Sequence, residues 1–494
     1  MNALRLAALA VLVVAALAPG AALAARADIT VGMVLEPPGL DPTSGNAAAT
    51  DEVTYANIFE GLTRIDETGS VQPNLATSWD ISLDGLAYTF HLHDGVKFHD
   101  GTPLTAEVVK FSLDRTTAAD STNGQKQLFA AIDKVEAVDP LTVKVTLKHP
   151  EGDILYNLGW GDAEIVAPNS AANNATHPVG TGPFKFVDWI KGDRVDLAKN
   201  PDYWGTPAKL DKVTFKFISD PTAAFSAMMA GDVDAFPEFP APETLDQFKS
   251  DPRFSVVIGT TEGETILAMN NGKKPFNDLK VRQALSYAID RKAIIDGAMF
   301  GYGAPIGSHF SPADPGYVDL TGLYAYAPDK AKELLKEAGY PNGFKVSLKL
   351  PPPSYARRGG EIIAQQLKAI GVDAEIVPVE WAQWLSDVFK NKDFDLTIVS
   401  HTEPADYAVY ARDDYYFDYH SDAMKKLMDS LNLATDPAKR TTLLGQIQKQ
   451  IADDAVNVFL FELAKTGVWN AKIKGLWANS PIQANDLTDV SWEE

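Results

Sequence analysis

Between residues 86 and 92 apolar and polar positions alternate, placing Tyr88, Phe90 and Leu92 on one face and His91, with the following His93, on the other. That is the period of a half-buried strand. Asp94-Gly95 supplies a turn, 96–98 a second short strand, and Asp100-Gly101 another turn, giving a hairpin. A helix then begins at Thr105, with Glu107 in its first turn and Val108, Val109, Phe111 and Leu113 available for packing. Residues 134–147 alternate in the same way across Asp139-Pro140, which predicts another hairpin. Together the two hairpins predict a mixed-sheet subdomain.

Either side of this region the pattern is that of an α/β protein. Strands are expected at 28–35, 184–189 and 213–218, and helices at 50–59 and 221–230, the latter closed by Gly231. A new unit opens at 264–270 (ETILAMN), followed by a helix at 277–290 with Val281, Leu285, Ala288 and Ile289 on one stripe, and by a further helix at 327–339. Strand 344–350, an amphipathic helix at 358–370 and strand 372–379 have the lengths of a parallel βαβ unit with a right-handed crossover. Strand 395–399, helices 422–433 and 439–453 and strand 456–463 complete the unit.

A chain of 494 residues, 45% of them hydrophobic, is too long for one core. Residues 1–27 have the form of a secretory signal, with Arg5, an apolar run and small residues that allow cleavage after Ala24 or Ala27. No second apolar run is long enough to span a bilayer, so a soluble exported protein is expected. The chain has no cysteine, hence no disulfide, thiolate metal site, catalytic thiol or lipidated cysteine. These points predict a freely diffusing periplasmic protein, not a lipoprotein. The net charge is −22, from 66 acidic and 44 basic residues without a basic cluster, which argues against nucleic acid and is otherwise read as solubility.

Several motifs resemble those of the bacterial extracellular solute-binding proteins of family 5, the peptide and nickel binding components of ATP-binding-cassette importers. They are YTFHLHDGVKFHDGTPLTA from Tyr88, GTGPF from Gly180 with NPDYW from Asn200, Gly231-Asp232-Val233-Asp234, and VRQALSYAIDR from Val281. His93 and Asp94 depart from the family's usual Arg and Lys. The resemblance implies a two-lobed periplasmic binding protein fold of the α/β class, with a hinge and an extra subdomain in the first lobe (cluster C type). It divides the chain into a signal at 1–27, lobe I at 28–264 with an inserted subdomain around 60–178, lobe II at 265–466, and a return to lobe I at 467–494. It also implies a partner permease in the membrane, a small-molecule or peptide ligand, a monomeric state, and no enzymatic activity or cofactor.

A solute held between lobes needs polar anchors at its ends and aromatic walls between them. Arg357 and Arg358, expected at the start of the βαβ helix, are the candidate carboxylate anchor, and in peptide-binding relatives an Arg of a matching segment has that role. Glu403 and Asp406, in the loop leaving strand 395–399, are the candidate ammonium anchor, because α/β folds place ligands at strand ends. Relatives that bind dipeptides carry an Asp before a proline there, whereas here the acids are Glu403 before Pro404 and Asp406 after it. Trp381 and Tyr407 are the candidate walls.

Other chemistry is set aside on the residues. His91, His93 and His99 invite a metal reading, but they read better as solvent-side strand and turn residues. His401 and His420 are read as structural, although nickel-chelate binders of the family use a histidine in this general region. Gly180-Thr181-Gly182 lacks the context of a phosphate cradle and is read as a tight bend. A secreted hydrolase would need GxSxG, HExxH or paired acids in one cleft, and neither sequence motif is present. A binding module serving a receptor, without transport, would use the same cleft. Within transport, opines, oligosaccharides and metal chelates stand beside peptides.

Overall fold

A computed structural model describes residues 26–493 other than Asn46, Pro315, Pro404 and Thr435. Residues 1–25, which hold nearly all of the expected signal peptide, lie outside the described residues. Two large sheets organise the rest. The first lobe has a seven-stranded sheet in the order Phe254–Gly259, Lys465–Asn470, Ala235–Phe236, Asp28–Met33, Lys212–Phe217, Arg194–Lys199, Phe184–Ile190. Asp28–Met33 runs parallel to Lys212–Phe217 and the outer strands are antiparallel, so the sheet is mixed. Its core is formed by Val31, Leu197, Val213 and Phe215, all fully buried.

The second lobe has a six-stranded sheet in the order Ala304–Pro305, Asn457–Glu462, Glu264–Met269, Leu396–His401, Phe344–Leu350, Val372–Pro378. The βαβ unit is present: Phe344–Leu350 and Val372–Pro378 pair in parallel, with helix Ser354–Ala369 between them. That helix starts four residues earlier than the apolar spacing alone predicts. Three successive prolines, Pro351 to Pro353, lead straight into it, and Pro353 holds the cap position. Gly360 lets it lie close to the sheet, since a Cβ there would come within 2.4 Å of Leu350.

The small sheet is four-stranded, in the order Ala76–Ile81, Ala87–Leu92, Thr142–Leu147, Ile132–Asp139. The alternation at 86–92 is therefore a real strand and the second hairpin forms across Asp139-Pro140. The expected strand at 96–98 is not one. Lys97 makes a single bridge to Pro103, and Ala87–Leu92 pairs instead with Ala76–Ile81 and Thr142–Leu147. Two turns crowded within eight residues leave no length for a ladder. The helix expected at 50–59 is also shorter, Ala48–Thr54, because Tyr55 turns extended and Ala56 takes a positive φ of 55°.

The sequence motifs turn out to hold the fold. The buried Glu60 carboxylate accepts hydrogen bonds from Tyr203 Oη (2.8 Å), Trp204 Nε1 (2.8 Å) and Thr181 Oγ1 (2.7 Å). Gly180 and Gly182 bring their backbone against residues 57–59, where a Cβ at Gly180 would lie 1.9 Å from the Ile58 carbonyl. Asp234 holds Arg26 through two contacts of 2.7 Å. Arg282 and Arg291 donate to the backbone carbonyls of Phe276, Asp454, Phe459 and Tyr324. The three histidines of the signature region go to separate partners: His91 to Asp80, His93 to the Trp204 ring, and His99 to Gly182 O at 2.9 Å.

His99 yields a pH prediction. Burial disfavours its imidazolium and pulls its pKa down to about 4, outweighing the hydrogen bond to Gly182 O, which favours the charged form. The folded pKa lies below the unfolded one, so the unfolded chain takes up the proton first as pH falls. Stability present above pH ~6.5 should be lost between there and ~4, by about 3 kcal/mol. Urea unfolding of the protein and of its His99→Gln variant should show their stability difference shrinking by that amount over this range; a constant difference would refute the assignment.

Candidate functional site: the cleft between the lobes

The lobes face each other across a cleft whose floor is the hinge. The chain crosses between them twice, at 260–263 and 463–464, joining strands of one sheet to strands of the other. The crossings are tied together by Leu463 N–H to Gly263 O (2.7 Å) and Thr261 Oγ1 to Leu463 O (2.6 Å). Away from the hinge, Arg440 of helix Pro437–Asp453 reaches over to the first lobe and grips both oxygens of Asp153, at 2.7 and 2.8 Å. Gln483 adds a bond to Thr402 O at 3.2 Å. On the opposite flank Lys249 meets Tyr302 Oη at 2.8 Å.

The second lobe presents the loop after Leu396–His401. Asp406 is buried, and its Oδ2 lies 3.0 Å from His309 Nε2 and 2.5 Å from His401 Nδ1. The far nitrogens are held too: His309 Nδ1 by Tyr410 Oη and His401 Nε2 by Tyr416 Oη, each at 3.0 Å. Despite its burial, Asp406 is held well below the usual carboxylate range by the two imidazoles, His401 above all, and Asp406 in turn raises His401. Burial lowers His309 instead. The surroundings thus favour the charged form of Asp406 and of His401 and disfavour it for His309. These three are the group of donors near enough for a metal among the described residues. Their nitrogens and oxygen close on one another at hydrogen-bond distance, which makes the group a proton-sharing network that pins the loop.

The expected anchors thus separate. Asp406 is spent on the histidines, while Glu403, three residues earlier, has no lysine or arginine partner among the described residues and is raised by burial and by Asp406. Glu403 also lies near Tyr355, whose Oη accepts from Ser400 N at 3.2 Å. Arg357 lies in the first turn of the helix, as expected, but its guanidinium is taken up by backbone, with Nε on Pro351 O and Nη2 on Val379 O, both 2.9 Å, closing the sheet end. Arg358 points elsewhere, to Glu243 of the first lobe at 3.6 Å and over the Phe300 ring. Tyr407 stacks on Phe310 with centroids 4.9 Å apart. Trp381 is 42% exposed and stacks on Trp384. His420 pairs at the surface with Asp413.

Sequence reasoning missed the first lobe's share. Asp51, Asp162 and Glu164 are buried close together, and Asp51 Oδ1, Asp162 Oδ1 and Glu164 Oε2 accept no hydrogen bond from the protein. Asp162 is raised to about 8, chiefly by burial, and Glu403 contributes from the other lobe. No motif marks these residues, which come from two distant segments.

The profile of the bacterial extracellular solute-binding proteins, family 5 Middle, matches residues 70–422. This chain belongs to that family. Among curated relatives of this family 5 protein, the glutathione-binding protein GsiB of Pectobacterium atrosepticum is 37% identical over 362 residues, 71% of this chain and 68% of the relative. Among solved structures, AgaA of A. tumefaciens R10, in complex with agropinic acid, superposes with a TM-score of 0.84 at 27% identity, covering 94% and 99% of the two chains. DppA of Helicobacter pylori, an ABC transporter-associated periplasmic binding protein in complex with the peptide STSA, gives 0.83 at 28% identity, covering 95% and 99%. The fold is accordingly the two-lobed periplasmic binding protein fold expected from the motifs. No helix among the described residues is long and apolar enough to cross a membrane.

The two acids of the loop should behave differently. Asp406→Ala leaves two buried imidazoles without their shared acceptor and should cost about 3 kcal/mol or more in urea unfolding. Glu403→Ala removes a half-buried acid with no lysine or arginine beside it among the described residues, held there only by the neighbouring Thr402 N–H at 3.1 Å, and should leave the unfolding midpoint unchanged or raise it.

Proposed function

We propose that this protein is the solute-binding component of an ABC importer, exported to the periplasm as a monomer without a lipid anchor. It captures a peptide-like solute between its lobes and presents the closed form to the permease. The observation that carries this reading is a cleft bridged on both sides of the hinge, by Arg440 with Asp153 and by Lys249 with Tyr302, with unpaired buried carboxylates of the first lobe facing Glu403 of the second. Family membership supports the transport role, and relatives whose names refer to glutathione and to a bound peptide support the solute class. No catalytic step is assigned to any residue.

In this reading Glu403 meets an amino group of the solute, Tyr407 lines the cleft, and Arg358 offers a carboxylate anchor. Arg357 is committed to backbone carbonyls and Asp406 to its histidines, so both act by shaping the site. Trp381 is the outermost of the aromatic candidates. The mechanism is hinge closure: a solute touching both lobes binds the closed state better and so shifts the population toward it.

Native mass spectrometry of the purified protein, followed by denaturing analysis of released small molecules, should recover a peptide-like mass; a sugar or a metal chelate would overturn the solute class. Thermal shift with glutathione, short peptides and opines gives the check, because a ligand bound only to the folded state raises stability. An opine as the strongest stabiliser would favour the reading suggested by AgaA. Arg440→Ala should weaken binding of the stabilising solute about tenfold by opening the cleft, with Asp153→Ala non-additive to it.

A further inference from the structure

Several buried acids elsewhere in the protein have donors or cations beside them. Glu60 has three donors, Asp234 has Arg26, and Asp41 has Arg115 at 2.9 Å. Asp51, Asp162 and Glu164 are as deeply buried, at 8%, 3% and 1% exposure, yet each keeps one oxygen with no donor. Among the described residues no lysine or arginine forms an ion pair with any of them or with Glu403. The arrangement is held by packing: a Cβ on Gly161 would lie 2.6 Å from Asp51 Cγ, so the carboxylate rests directly on the Gly161 backbone. Buried acids without a counter-charge are costly to keep unless something else supplies one.

We infer that Asp51, Asp162 and Glu164, faced by Glu403, form a receptor for positive charge, and that the solute is a net-cationic peptide-like molecule with a basic side chain. This rests on the solute-binding reading above. One α-ammonium supplies a single positive charge, whereas three first-lobe carboxylates are gathered here with Glu403 near Asp162; a lysine or arginine side chain adds a second charge and, for guanidinium, a planar donor set matched to carboxylate oxygens. Glutathione, with two carboxylates and one ammonium, has the opposite balance, so this cleft differs in preference from that of the relatives named for it.

The raised acids give the same direction. Burial first, and then mutual repulsion in the case of Asp51 with Asp162, makes them hold protons that a bound cation displaces. Affinity for a cationic solute should therefore rise with pH through the range in which Asp162, at about 8, gives up its proton. A neutral solute would show no such slope from these groups.

The test uses protein unfolded, dialysed and refolded to remove carried solute, with calorimetric titration at pH 7.5 of trialanine, its three single-lysine variants, its three single-glutamate variants, and glutathione. At least one lysine peptide should bind about tenfold or more tighter than trialanine, with the glutamate peptides and glutathione weaker still. Asp162→Asn should abolish that preference and raise the melting temperature of the solute-free protein, since an unpaired buried acid is removed. Trialanine or glutathione binding as well as every lysine peptide overturns the cation inference and leaves the solute-binding reading intact. A lower melting temperature in Asp162→Asn also overturns it, because the carboxylate would then be structural. Failure of all these peptides and glutathione to bind removes the peptide-solute reading and this inference together.

Discussion

Leu463 donates its N–H to Gly263 O while Thr261 clamps the Leu463 carbonyl, and through this pair of bonds the two lobes become one machine. Each crossing alone would be a flexible linker. Bonded side by side, they confine the lobes to a narrow set of opening motions. Gly263 belongs to the device, since a Cβ there would sit 3.0 Å from both Leu463 Cβ and Thr261 Oγ1. The hinge also carries charge: Glu462, which accepts from Thr261 N at 3.2 Å, is pushed up to about 7 by burial. The acid excess of the chain is thus partly internal, and solubility explains only its exposed fraction.

What was legible in the sequence follows from what the motifs are for. Tyr203, Trp204, Thr181 and Glu60 form one buried hydrogen-bond set, His99 and Asn200 both bind Gly182 O, and Arg282 and Arg291 fasten their helices to the end of helix Pro437–Asp453 and to strand Asn457–Glu462. Such residues are dictated by the backbone arrangement, so a chain that carries them in order announces its fold. Alternation did the same for Ala87–Leu92 and Phe344–Leu350, whose inward side chains are buried as expected. It failed at 96–98, where two turns leave no room for a ladder, and at 50–59, where the helix ends on a positive φ that no propensity signals.

The site was legible only by position. The loop after Leu396–His401 does meet the first lobe, through Gln483 on Thr402 O, but spacing could not separate Glu403 from Asp406. The separation comes from His309, about a hundred residues earlier in the chain, which closes on Asp406 and leaves Glu403 without a charged hydrogen-bond partner among the described residues. Arg357 and Arg358 are divided the same way, because adjacent helical residues point about 100° apart and only one of them reaches the sheet-end carbonyls. The first-lobe acids carry no local pattern at all. Their signal is a deficit of hydrogen bonds, which exists only in three dimensions.

That deficit bears on how closure is coupled to capture. With the lobes together as they are here, Glu403 lies near enough to Asp162 that charge on either acid disfavours charge on the other. The Arg440 and Asp153 pair works in the opposite direction, rewarding closure whatever the cleft contains. A closed state supported by the latch alone would trap the protein empty; one opposed by the acids alone would never form. A positive charge between the lobes would turn that mutual penalty into attraction, which is the differential affinity that a population shift requires. The same acids that make the empty cleft uncomfortable are what allow a solute of the right charge to close it.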